Sequence, residues 1–116
     1  MLQPKNFEEL ITQANQVNSY NKLVKQLNKD FLLANIDLDF DEDILPTSLK
    51  FLLHETIFKL IQEKFAEYLN VLYIIDVPEH KIKQLDGSDI VSLSEQVTFL
   101  ILLREWQKVW YKQQYK

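Results

Sequence analysis

The sequence predicts an all-α bundle of about four main helices plus one short helix, and three observations lead there. Apolar residues make up 47% of the chain and recur every three or four positions over long stretches. One glycine and three prolines in 116 residues are too few for the many turns of an all-β fold. No internal repeat or shift in composition divides the chain, so residues 1–116 read as a single helical domain.

A first helix starts after Asn6, a residue that caps well, with Glu9 three positions on in a capping-box relation. Phe7, Leu10, Ile11, Ala14 and Val17 then follow helical spacing. The segment "NSYN" at 18–21 is a stop-and-restart signal, although one helix bent near Ser19 fits the same pattern. In the second helix Tyr20, Leu23, Val24, Leu27 and Phe31 share one face, and Lys22, Lys25, Gln26 and Lys29 the other. Pro46 opens the third, with Thr47 or Ser48 as its cap. Its apolar positions continue from Leu49 to Ile75, which predicts one helix of about 27 residues, roughly 40 Å long. Glu55, Lys59, Gln62, Glu63, Glu67 and Asn70 are its only polar stripe, so this helix is expected at the centre of the bundle.

"DVPE" at 76–79 ends the long helix, and Pro78 pre-sets the first turn of a short one. Gly87 suits the left-handed residue that would close it. The last helix begins between Ser88 and Ser92, where Ser92 and Glu95 read as a second capping box, and runs toward the C-terminus.

Composition bounds the chemistry. Without cysteine there is no disulfide, thiol nucleophile or thiolate metal site, and a reducing, cytoplasmic setting is expected. "MLQPKNFEEL" lacks the layout of a secretory signal, and no apolar run approaches the about 20 residues that span a bilayer. Neither a membrane nor a nucleic-acid partner is expected, the latter because the net charge is −4. A single glycine rules out a glycine-rich phosphate loop. His54 and His80 lack metal-ligand spacing; "HETIF" has Phe58 where a zinc-protease helix needs its second histidine. No cofactor is expected.

The stretch "IDLDFDEDIL" at 36–45 puts five acids within seven positions. Asp37, Asp39 and Asp41 have the spacing of a calcium loop, but position 6 is Glu42 instead of glycine and position 12 is Ser48 instead of glutamate. The preferred reading is an extended connector with Ile36, Leu38 and Phe40 tucked inward and the aspartates in water. An edge strand pairing in a dimer, or a site for a metal or basic partner, are its rivals.

The segment "LLREWQKVWYKQQYK" is the most distinctive. Phe99, Leu103, Trp106 and Trp110 share a helical face; Tyr111 and Tyr115 lie beside it, interleaved with Lys108 and Lys112. Lys116 follows, and Glu105 is the one acid of this tail. Aromatics mixed with cations favour protein interfaces, so Trp106, Trp110, Tyr111, Tyr115, Lys108 and Lys112 are the candidate partner-binding residues. Arg104, the sole arginine, follows a largely apolar run and is expected to pair with Asp76 or Glu79, pinning the short helix. "LYIIDVPE" with "FLILLREWQKVW" resembles the C-terminal part of small bacterial helical proteins without an assigned activity, a likeness confined to the last third.

The function expected is a small cytosolic protein-interaction module, binding a partner or itself, for instance as a homodimer, through apolar helix faces. The alternative is an enzyme or metal-binding protein with a carboxylate/histidine site between helices, built on His54 and nearby acids.

Overall fold

The computed structural model describes residues 2–115, so Lys116 lies outside the described residues. Among these residues six helices follow in order: α1 (Phe7–Gln16), α2 (Tyr20–Leu33), α3 (Pro46–Glu63), α4 (Phe65–Ile75), α5 (Glu79–Lys83) and α6 (Ile90–Gln114). No strand occurs among the described residues, and the all-α expectation holds.

The helix ends explain where the chain turns. Asn6 is extended and its Oδ1 accepts from Glu9 N at 2.9 Å. The returning Glu9 carboxylate accepts from Lys5 N instead of Asn6 N, at 2.6 Å. At its far end α1 closes with Asn18 left-handed (φ 52°), Ser19 N donating to Ala14 O and Asn18 N to Asn15 O. The same pair of bonds closes α2 around Asn35 (φ 64°) and α4 around Asp76 (φ 67°). Asparagine and aspartate are the non-glycine residues that best tolerate this conformation. Gly87, by contrast, has a negative φ and α5 ends in ordinary right-handed backbone at Gln84, so glycine closes nothing here.

Two further starts differ from expectation. Pro46 is the first residue of α3, after an extended Leu45, and neither Thr47 nor Ser48 caps it. Asp89 caps α6 by accepting from Val91 N at 3.0 Å, while Ser92 accepts from the Gln96 side chain.

The expected single helix over 49–75 is two helices. Lys64 leaves helical geometry (φ −142°, ψ 63°), with neither proline nor glycine nearby. The reason lies in packing. Uninterrupted from Pro46 to Ile75, a 30-residue helix would run about 45 Å, beyond the 38 Å longest dimension of the molecule. Breaking at Lys64 turns α4 back so that Tyr68, Val71, Leu72 and Ile75 enter the core.

The centre is α6, which packs against α1, α2, α3 and α4. Its Val97, Ile101, Leu102, Trp106 and Val109 meet Leu10 and Ala14 of α1, Leu23, Leu27 and Phe31 of α2, and Leu49, Leu53 and Ile57 of α3 in one apolar core. Residues 36–45 form an irregular connector along α2. Asn28 clamps it, donating to Phe40 O at 2.9 Å and accepting from Phe40 N at 3.1 Å, and the Tyr20 hydroxyl donates to Ile44 O. Ile36, Leu38, Phe40 and Ile44 pack on the core, and the five acids face water. No helix among the described residues is long and apolar enough to cross a membrane.

Asn35 is exposed and makes no side-chain hydrogen bond, so its backbone conformation is its main contribution. Replacing it with alanine is expected to cost about 1 kcal/mol in urea unfolding at unchanged m, and replacing it with glycine to cost nothing. Equal midpoints for the two variants would contradict the assignment.

Candidate functional site

The C-terminal segment divides between core and surface. Trp106 is 1% exposed and its indole N–H donates to Gln13 Oε1 at 3.2 Å, so it fastens α6 to α1 and has no surface to offer. Trp110 is half-buried, edge-on to Tyr111 at 5.3 Å between ring centroids. Tyr111, Tyr115 and Lys112 are exposed, and the Lys112 ammonium donates to Gln26 Oε1 at 2.7 Å. Lys108 is drawn inward.

Its partners form a polar cluster between α2 and α6. The Lys108 ammonium lies 2.9 Å from Asp30 Oδ2 and 3.2 Å from Glu105 Oε1, and Gln26 Nε2 donates to Asp30 Oδ2 at 3.0 Å. Glu105 is 0% exposed, and as a carboxylate neither of its oxygens has a directed hydrogen-bond donor. Burial, and then the adjacent Asp30 carboxylate, push its pKa up to about 9. Burial works against ionising Asp30 too, but hydrogen bonds from Glu105, Lys108 and Gln26 overcome it and hold Asp30 below its ordinary value. The opposite directions of these two shifts favour charge on Asp30 and a proton on Glu105.

Both acids stand at core spacing: Asp30 three residues after Leu27, Glu105 four after Ile101. That was the available signal. Gln26, assigned by pattern to the solvent face, is buried with them. Asp30 is 5% exposed and Glu105 0%, so the pair is enclosed in the seam between α2 and α6.

His54 Nε2 lies 2.7 Å from Ser94 Oγ, which also donates to Val91 O at 3.0 Å. A hydroxyl has one proton; committed to Val91, it accepts from His54. Ser94 is fully buried, so this contact ties α3 to α6 instead of presenting a nucleophile. A cavity of about 410 Å³ beside His54 is lined by Phe7, Lys50 and Glu95 among others, but the Lys50 ammonium sits over the Phe7 ring at 5.3 Å. Among the described residues no three acids or histidines gather as metal ligands, Asp37, Asp39 and Asp41 included.

The most developed surface feature lies on α4. Nine of its eleven residues are apolar, and one side only is covered. Phe65, Leu69 and Tyr73, spaced four apart, line the other side at 55%, 50% and 82% exposure. Leu69 and Tyr73 continue into a groove of about 850 Å³, whose other wall comes from Val77, Pro78 and Ile82. Leu33, Leu45 and Phe51 are also exposed but line none of the cavities described.

Arg104 fastens the turn at Asp76, which borders this groove. Its Nε donates to Asp76 O at 3.0 Å and its Nη2 to Asp76 Oδ2 at 3.3 Å, bracing the left-handed turn that aims the chain into α5. Glu79 takes no part: it pairs with Lys83 at 3.0 Å. Compared with protein-family models, curated proteins and solved structures, the chain matches none.

The buried dyad makes stability depend on pH. Glu105 binds its proton more tightly folded than unfolded, so its contribution is complete below about pH 4.5 and falls as pH rises toward about 9. Asp30 acts oppositely, contributing above its unfolded value of 3.8 and losing that as pH falls further. Between neutrality and pH 9, stability is expected to drop by up to about 1.4 kcal/mol per pH unit. Glu105→Gln, which keeps a donor toward Asp30, should flatten that slope in urea titrations; an unchanged slope would refute the assignment.

Proposed function

We propose that this protein is a small interaction module that binds another polypeptide along α4, the reading carried by the unbroken apolar row Phe65, Leu69 and Tyr73 beside the α4–α5 groove. Single exposed apolar residues are ordinary; three in register along one helix, opening into a concave apolar wall, are the pattern of a helix-docking face. The row is about 12 Å long at helical rise, enough for two to three turns of an amphipathic helix. Such a helix would set its own apolar stripe between Tyr73 and Ile82 and leave its polar side in water.

A twofold axis through Leu69 would also bring Phe65 of one copy against Tyr73 of another, so a homodimer is the simplest complex this face could form. The C-terminal aromatics Tyr111 and Tyr115, with Lys112, offer a second, more polar contact surface. A cytosolic location accords with a cysteine-free chain.

A photo-crosslinking amino acid at position 73, used in the cell of origin, tests the reading. Discrete protein adducts, reduced at least about tenfold by Leu69→Asp, are expected. Adducts to lipid only, or adducts indifferent to Leu69→Asp, would dismiss it.

A further inference from the structure

A second surface has the opposite character. Lys22, Lys25 and Lys29 line one side of a groove of about 360 Å³ between α2 and α6, and Lys112 stands on the other, over a floor formed by Gln26, Val109 and Gln113. The only acid of α2, Asp30, is buried and satisfied by Lys108, so the exposed face of this helix carries cations alone. Among the described residues Lys22, Lys29 and Lys112 meet no carboxylate. For a chain of net charge −4, this is a concentrated positive field.

Its complement borders it. The connector lies on the flank of α2 and presents Asp37, Asp39, Asp41, Glu42 and Asp43 to water. It cannot reach across into the groove, because Asn28 clamps the Phe40 backbone, Tyr20 holds Ile44, and its apolar side chains are packed on the core. One ion pair, Lys25–Glu42 at 3.2 Å, marks the seam between the two surfaces. With that pair set aside, three lysines and four acids remain unmatched side by side.

We propose that the lysine groove receives the acidic connector of a second copy of this chain. A surface with a positive groove next to a negative row is self-complementary: a twofold axis along the seam lays each row on the other copy's groove, making the contact reciprocal and closed. Over Lys22–Lys29 the α2 face extends about 10 Å at helical rise. The bonds from Asn28 to Phe40 and from Tyr20 to Ile44 hold the connector alongside this same stretch of α2, so row and groove run side by side. Exposed ion pairs are individually weak and screened by salt, so the association is transient and sensitive to ionic strength.

Sedimentation equilibrium on the full chain tests this, at about 20 mM and about 300 mM salt, where screening differs severalfold. Dimers at low salt are expected, with dissociation constants at least about tenfold higher at high salt. Two charge-reversed proteins, Lys22→Glu/Lys29→Glu and Asp37→Lys/Asp43→Lys, change exposed residues only. With Leu69→Asp added to each to remove any α4 contact, each should be monomeric alone, and an equimolar mixture should dimerise. Leu69→Asp should leave this dimer intact, which separates it from the α4 face. A monomer at low salt, a dimer insensitive to salt or to the reversals, or a mixture that stays monomeric would overturn the proposal. So would inorganic polyphosphate binding at the lysines by a chain that remains monomeric.

Discussion

Burial against α6 is the constraint on which the rest of the structure depends. At 25 residues it runs about 37 Å, close to the full 38 Å length of the molecule, and four other helices complete their apolar faces on it. The break at Lys64 follows from this: a longer α3 would pass the end of the spine and leave Tyr68, Val71, Leu72 and Ile75 in water. Hydrophobic burial outweighs the local helix propensity of "QEKFAE", which has no breaker, because each large side chain withdrawn from water contributes about 1.5–3 kcal/mol. Four such side chains exceed the cost of one non-helical residue.

Apolar packing is non-directional, so polar contacts set how α2 lies on α6. Ser19 accepts from the Gln113 side chain, Gln26 from Lys112 and Asp30 from Lys108, three contacts in sequence along an antiparallel seam. Sliding either helix by one turn would leave a buried Asp30 without its cation. An unpaired buried charge costs several kcal/mol, whereas replacing such a set with apolar groups is often neutral. The cluster therefore contributes register more than raw stability. Glu105 fits the same account, since a protonated carboxyl beside Asp30 avoids placing two negative charges together.

Much of the fold was legible in the sequence because its signals are local. Asn6 capped as expected, the "NSYN" restart fell where Ser and Asn compete for backbone bonds, and the alternation in 36–45 placed the apolar residues inward. What escaped was set by tertiary contacts. The Lys64 break has no local cause, and the left-handed closures fall on Asn18, Asn35 and Asp76 instead of Gly87. The site was less legible. Helical spacing put Trp106 on an apolar face but could not say that Gln13, 93 positions away, would seal it in. Lys108 looked like a surface cation until Asp30 and Glu105 met it. The apolar row on α4 was hidden in a segment read as one continuous helix, because its exposed side appears only once the chain turns at Lys64.

The two indoles, four residues apart on α6, occupy unlike surroundings: Trp106 sealed against Gln13, Trp110 half-open beside Tyr111. They consequently divide the intrinsic fluorescence into a blue-shifted, quencher-protected emitter and a redder, accessible one. Loosening of the α1–α6 contact alters the first, and anything settling over the C-terminal turn of α6 alters the second. One unlabelled chain thus carries separate optical reporters for its interior and its surface.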